Sequence, residues 1–438
     1  MSVSSFAQYA VTSPMDRRLF LLMTLAGTAS PPPGPDMVGA PPLAIEPPAP
    51  ARSGDPEFDG WASDFVSRAI RDGWPADVLR REFAGLTPEP RVLELDGRQP
   101  EFSKPVSDYI RGAVSADRVA EGRRLRTELA WLPQVEARFG VPSEVLISLW
   151  AMESRFGAIQ GDFDVLRALA TLAAAGRRRA WAEGEILAVI RIIATHQANR
   201  SQLKGSWAGA MGQTQFEPDA YLANAVSLDG EGPPDIWVSP KDALASAANL
   251  LAKAGWTPGE HPQREVILPT GFDFGLTEGP TPTPEGWAFL GVQTADGAGW
   301  SGVDEDAAMT LLLPSGATGP AFLVTPNHFV IRKYNNSTAY ALAVGLLADQ
   351  IAGAPPPRTP WPHETPLSAD DRIGAQQDLA RLGFDPGSAD GVIGGKTRHA
   401  LQAWQKARGL PADGYLSVEM VQRLHADTSP PTVIQPPA

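Results

Sequence analysis

The sequence predicts a mainly α protein, with a long helical domain that carries a small β-containing insert, followed by a compact three-helix unit. Three observations support this. Apolar residues recur at helical spacing through most of residues 56–352. Between Pro262 and Lys333 that pattern gives way to short apolar runs bounded by proline or glycine. A proline-rich segment, residues 353–367, then separates a second stretch, 368–425, with its own helix and turn signals.

Arg17 and Arg18 precede an apolar run from Leu19 to Ala29, which small residues and the prolines 31–33 follow. A basic start, an apolar centre and small residues after it predict a signal peptide over residues 1–30. Asp16 to Leu21 also resembles a twin-arginine signal. The run is too short to span a bilayer, which needs roughly 20 residues. The expectation is therefore a periplasmic protein with no transmembrane anchor. Residues 31–55 follow as a proline-rich linker.

The long domain opens with Phe58, Trp61, Phe65, Ala69 and Ile70 at helical spacing, and Val119, Leu125, Leu129 and Leu132 repeat the pattern. The strongest helix runs from Pro142 to Phe156, with proline at its start, Glu144 in its first turn and Gly157 as its stop. Further helices are predicted over Phe163–Ala174, Arg179–His196, Pro240–Ala254 and Thr338–Ala352. The runs 265–268, 310–313 and 321–324 predict strands. In the second stretch, Ser368 and Asp371 predict a capping box, and two Asp-Gly pairs, at 390–391 and 413–414, mark turns between three helices. Residues 426–438 are expected to be a disordered tail.

A formal charge of −13 would repel a polyanion, so nucleic acid is excluded as a partner. The absence of cysteine removes thiol catalysis, iron–sulfur clusters and Cys-type zinc sites. The six histidines show no zinc-ligand spacing, so no metal hydrolase is indicated. No cofactor is expected.

Glu153 lies one turn after Leu149 and Trp150, at the end of the strongest helix. A carboxyl in apolar surroundings resists ionisation and can act as a general acid near neutral pH. A surface glutamate paired with Arg155 or another arginine is the competing reading, and the helix alone favours it. Downstream, residues 203–218 are rich in glycine and polar side chains. Ser206 and Gln215 there suit sugar hydroxyls or an acetamido group, although a tight structural loop would look similar.

Three motifs, taken together, resemble the lytic murein transglycosylase B family. They are Glu153-Ser154-Arg155-Phe156-Gly157, the stretch Gly205 to Phe216, and Arg332 to Ser337 with Tyr340 to Val344. The resemblance covers roughly residues 56–352 and implies a lysozyme-like catalytic domain. It further implies cleavage of the β-1,4 bond between N-acetylmuramic acid and N-acetylglucosamine, with Glu153 as the single acid/base and a 1,6-anhydromuramyl product. It also implies that Ser206 orients Glu153, that Gln215 and Phe216 line a glycan cleft, and that Tyr334 and Tyr340 contact the reacting sugar. Tyr109 joins them on a weaker alignment, and a place in an amphipathic core is its stronger reading.

Some family members carry a calcium loop, and the matching stretch here is Ser227 to Trp237. Ser227 replaces the first acidic ligand and Pro233 and Pro234 stiffen the middle, so a capped turn is expected instead of a metal site. Residues 368–425 resemble the small peptidoglycan-binding modules, through Leu382 to Gly387, Asp390 to Gly394, Ala403 to Gln405 and Gly409 to Gly414. Such a module would hold the enzyme on its polymer by raising its local concentration. Peptidoglycan glycan strands are thus the expected partner, with cell-wall synthesis proteins as a further candidate class. A hydrolytic muramidase and a non-catalytic wall-binding scaffold remain as alternative functions.

Overall fold

The computed structural model describes residues 53–97, 105–277, 279, 281–300 and 304–429. The expected signal peptide (1–30), the first linker up to residue 52 and the tail beyond Ser429 lie outside the described residues. The chain folds as two compact units that interleave in sequence. Of the described residues, one is built from 53–97 with 157–246, the other from 105–156 with those from 247 to 429.

In chain order, α1 (Pro56–Arg71), α2 (Ala76–Phe83) and α3 (Pro90–Gly97) belong to the first unit. The second contributes α4 (Val106–Ala113), α5 (Ala116–Glu128), α6 (Leu132–Phe139) and α7 (Ser143–Ser154). The chain then returns to the first with β1 (Phe163–Asp164), α8 (Val165–Ala175), α9 (Arg179–Ala194), β2 (Lys204–Gly205) and α10 (Pro218–Asn224). After α11 (Pro240–Lys253), the second unit adds β3 (Gln263–Ile267), α12 (Pro284–Phe289), β4 (Gln293–Thr294), β5 (Thr310–Leu312) and β6 (Ala321–Val324). The helices α13 (Pro326–Tyr334), α14 (Thr338–Ala352), α15 (Ala369–Arg381), α16 (Gly395–Ala407) and α17 (Val418–Thr428) complete it. No described helix is long and apolar enough to cross a membrane.

The first unit starts as its sequence directs. Asp55 caps α1 by accepting from the Glu57 and Phe58 amides at 3.0 and 3.1 Å, and Pro56 fits the first turn. Phe58, Trp61, Phe65 and Ala69 form the buried stripe, and Trp61 stacks on Phe65. The expected helix from Phe163 begins two residues late. Phe163 and Asp164 pair instead with Gly205 and Lys204, and Asp164 caps α8 through the Arg167 amide at 3.1 Å. In the second unit the apolar pattern from Val119 to Leu132 breaks into two helices, because Leu129 leaves the helical region.

β3 to β6 form an antiparallel sheet in the order β4-β3-β6-β5. Every residue of β6 is buried. Because side chains alternate along a strand, Ala321 and Leu323 face one core and Phe322 and Val324 another. The first core holds Trp287, Met309 and Leu311, while the second holds Ile110, Leu342 and Leu346. Burial on both faces makes β6 the element that joins the insert to the helical core.

The C-terminal helices pack around Leu379, Leu401, Trp404 and Leu424. Two buried glutamines hold the two Asp-Gly turns. Gln376 accepts from the Gly391 amide and Gln405 from the Gly414 amide, both at 2.8 Å. The Ser368–Asp371 capping box forms as expected. α17 runs to Thr428, past the expected start of a disordered tail, because Asp427 holds Trp404 Nε1 at 2.9 Å and Arg408 at 2.7 Å.

The proline-rich segment before this module is strapped to the insert. Glu265 accepts from the amides of Arg358 and Thr359, both at 2.7 Å, and Trp361 stacks on Phe322. Glu364 accepts from the hydroxyls of Ser315 and Tyr415, and Asp413 accepts from the Ala317 amide at 2.8 Å.

In the first unit, Glu185 of α9 is 4% exposed and accepts from the Asp219 amide of α10 at 3.1 Å. Burial, then the nearby Asp219 and Glu217 carboxylates, push its pKa well above the ordinary glutamate value of 4.5. The fold therefore keeps a proton that the unfolded chain releases, so stability is full below pH 4.5 and falls as pH climbs toward the raised value. Glu185→Gln is expected to leave stability near pH 4 unchanged. At pH 8 it should raise stability by on the order of 1 kcal/mol, measured by denaturant titration at each pH.

Candidate functional site

The strongest helix predicted from sequence is α7, and it ends at Ser154 instead of Phe156. The reason is local, since Arg155 and Phe156 take left-handed φ values of 50° and 57°. The turn is closed by the Arg155 amide to the Ala151 carbonyl at 3.2 Å and the Phe156 amide to the Trp150 carbonyl at 3.1 Å. Two non-glycine residues in this region store strain of about 1–3 kcal/mol each, which is a hallmark of functional sites.

Glu153, two residues before the first left-handed position, is 9% exposed. Its Oε1 accepts from the Tyr340 hydroxyl at 2.5 Å, a bond that joins α7 to α14. The surface-glutamate reading is therefore set aside for Glu153, whose carboxyl is buried and held by Tyr340. Tyr340 is itself fully buried, so in this structure its hydroxyl serves the carboxyl. Helix α14 begins at Thr338 because Ser337 caps it, accepting from the Tyr340 amide at 3.3 Å. The motif 332–337 is thus a helix-to-helix junction. Arg332 donates to Asn336 Oδ1 at 2.7 Å, and Tyr334 is fully buried at the end of α13. Tyr109, on α4, is half-buried against the cluster that holds Leu342 and Ala343 and against which Met152, the residue before Glu153, also packs. The second unit thus brings Glu153 and Tyr340 into contact.

Ser206, Gln215 and Phe216 belong to the first unit. The Ser206 hydroxyl accepts from the Ala210 amide at 3.1 Å, while its own amide donates to the Ala210 carbonyl at 2.7 Å. Gln215, left-handed at φ 50°, donates its side-chain amide to the Gln160 and Gly212 carbonyls, both at 2.9 Å. Phe216 is fully buried. The glycine-rich stretch is therefore a self-closed loop in which Gln215 acts as a clasp. Gly205 is required by close approach, because a Cβ there would lie 2.0 Å from the Ala210 carbonyl oxygen.

The stretch 227–237 is a turn held by Asp242, which sequence reasoning did not single out. Asp242 Oδ1 accepts from the Leu228 amide at 2.9 Å and Oδ2 from the Asp235 amide at 3.0 Å. Asp235 in turn accepts from the Trp237 and Val238 amides, both at 2.9 Å, and Asp229 pairs with Lys241 at 3.2 Å. No signal within residues 227–237 could have revealed Asp242, which is set on the following helix. Among the described residues, the carboxylates that lie close enough together to share a cation are Glu185, Glu217 and Asp219.

Residues 57–349 match the transglycosylase SLT domain family, and residues 368–424 match the peptidoglycan binding domain family. The chain is similar to the membrane-bound lytic murein transglycosylase B of Escherichia coli strain K12, with 33% identity over 217 residues. That match spans 49% of this chain and 58% of the relative, less than two thirds of its length. SltB3 from Pseudomonas aeruginosa, solved in complex with NAG-anhNAM-pentapeptide, is similar in structure at a TM-score of 0.81 with 44% identity, covering 85% of this chain and 100% of that one. The Escherichia coli lytic transglycosylase Slt35, solved in complex with calcium, has a TM-score of 0.55 and 27% identity, covering 68% of this chain and 93% of that one.

A methyl group at position 205 would meet backbone, which cannot move aside as a flexible side chain can. Gly205→Ala is expected to destabilise the first unit by about 1–3 kcal/mol and to lower activity, measured as the thermal midpoint and the rate of glycan release.

Proposed function

Because the chain belongs to the transglycosylase SLT domain family, we propose that it is a lytic murein transglycosylase that uses Glu153 as its one acid/base. The observation that carries this reading is the buried Glu153 carboxyl, with one oxygen held by the Tyr340 hydroxyl at 2.5 Å. A carboxyl shielded from water can hold a proton near neutral pH, and one fixed by a hydroxyl presents it in a constant direction. The proposed substrate is peptide-bearing peptidoglycan, the class to which the ligand of the SltB3 complex belongs.

In the proposed reaction, Glu153 gives its proton to the glycosidic oxygen between N-acetylmuramic acid and N-acetylglucosamine, and the bond from that oxygen to the muramyl C1 breaks. The oxocarbenium-like centre is stabilised by its surroundings or by the substrate's own acetamido group. The carboxylate then takes the proton of the muramyl C6 hydroxyl, and O6 bonds to C1. The proton count at Glu153 is restored and no water is consumed. Tyr340 keeps Oε1 occupied throughout, so the moving proton is assigned to Oε2. A two-carboxylate hydrolase would instead deliver water to C1.

Within the same proposal, Ser206 is the sugar-facing residue of the first unit, where the buried Gln215 and Phe216 act through the shape of their loop, and Tyr109 is that of the second, where the buried Tyr334 acts by fixing the end of α13. The C-terminal module retains the enzyme on the wall, and export to the periplasm rests on the Arg17–Ala29 pattern.

Purified sacculi digested by the full chain are expected to yield fragments lighter by one water than hydrolytic products, with no solvent oxygen in the new ends. Mass spectrometry in labelled water reads both. Glu153→Gln should lower the rate about 10²–10⁴-fold. Tyr340→Phe should lower kcat about tenfold, the value of one hydrogen bond to a charged group. Full activity in Glu153→Gln would remove the carboxyl from the mechanism, and labelled reducing ends would make the enzyme a muramidase.

A further inference from the structure

At and beside the strained end of α7 lie two positive charges that have no acidic partner among the described residues. Arg155 is exposed at its left-handed position, two residues after Glu153. Arg118, on α5, is half-buried, and its Nη1 donates to the Ala113 carbonyl at 3.0 Å, the Gly112 carbonyl at 3.3 Å and Met152 Sδ at 3.8 Å. All three acceptors are neutral. The sulfur contact puts this guanidinium beside the residue that precedes Glu153. Among the described residues, neither arginine forms an ion pair. Other partly buried arginines do so, as with Arg167 and Glu89, Arg178 and Asp96, and Arg200 and Asp164. Acid is not scarce in a chain with 50 acidic and 37 basic residues.

Burial, and then the nearness of Arg155, make the Arg118 charge costly, so its pKa lies below the ordinary arginine value. A pair of like charges that the fold leaves unneutralised is suited to an incoming anion. In peptidoglycan the sugars offer hydroxyls and acetamido groups, which are neutral, and the carboxylates belong to the peptide carried by the muramyl lactyl group.

We propose that Arg118 and Arg155 form a carboxylate-binding site that recognises the stem peptide and makes the enzyme prefer peptide-bearing strands to bare glycan. The site rests on the lytic reading for its substrate. Planar guanidinium groups bind carboxylates in paired hydrogen bonds, so lysine is only a partial substitute.

The test compares kcat/KM of the full chain on uncrosslinked strands that keep their peptides and on the same strands stripped by an amidase, with each lactyl carboxylate that the amidase frees capped as its methyl amide. Arg118→Met preserves the aliphatic packing, and Arg155→Asn tolerates the left-handed backbone. Each is expected to lower kcat/KM on peptide-bearing strands about tenfold and on stripped strands by less than about twofold, with Arg118→Lys recovering part of the loss. Equal losses on both strands, or none on either, would overturn the site. If Arg118→Met does not fold, the exposed Arg155→Asn still decides by the same comparison. A wild-type chain that releases no fragment from either strand would defeat the lytic reading instead. The site is then judged by titrating the free acidic pentapeptide into the wild-type and Arg155→Asn chains. Tighter binding to the wild type supports it, and equal binding overturns it.

Discussion

The hydrogen bond from the Tyr340 hydroxyl to Glu153 Oε1 joins two helices that lie 187 residues apart in the chain. A carboxyl at 9% exposure without such a partner would carry a desolvation cost that folding would not easily bear. The surrounding structure serves this bond. Ser337 sets where α14 starts and so where Tyr340 falls along it. The left-handed residues Arg155 and Phe156 set where α7 stops, leaving Glu153 in its last turn. The apolar cluster of Ile110, Phe322, Leu342 and Leu346 then ties α4, the sheet and α14 together.

The first unit follows a different logic. Its glycine-rich loop is closed by its own backbone, from Ser206 to Ala210 and from Met211 to Phe216, and the Gln215 side chain fastens it to Gln160. Polar side chains that look suited to a ligand can thus be structural in part.

The C-terminal module departs from a flexibly tethered domain. A linker rich in proline is stiff, and this one is also bonded to Glu265, stacked through Trp361 and joined through Glu364 to both the insert and the module. Under the proposed wall retention, effective concentration comes with a defined orientation. That arrangement narrows the ways in which a bound strand can be presented within the second unit.

Sequence alone determined the features that depend on near neighbours. The capping box at Ser368, the buried stripe of α1, the strand runs of the insert and the Asp-Gly turns were all legible, because each needs only residues within about one helical turn or one hairpin. Glu153 was singled out by its place in a motif, not by its environment. Tertiary structure decided the rest. It split the uninterrupted stretch from 56 to 352 between two interleaved units, buried β6 on both faces, placed Asp242 under the 227–237 turn and brought Tyr340 to Glu153. Local patterning specifies which face of an element is apolar, but not which distant element will cover it. That choice depends on the packing of the whole chain.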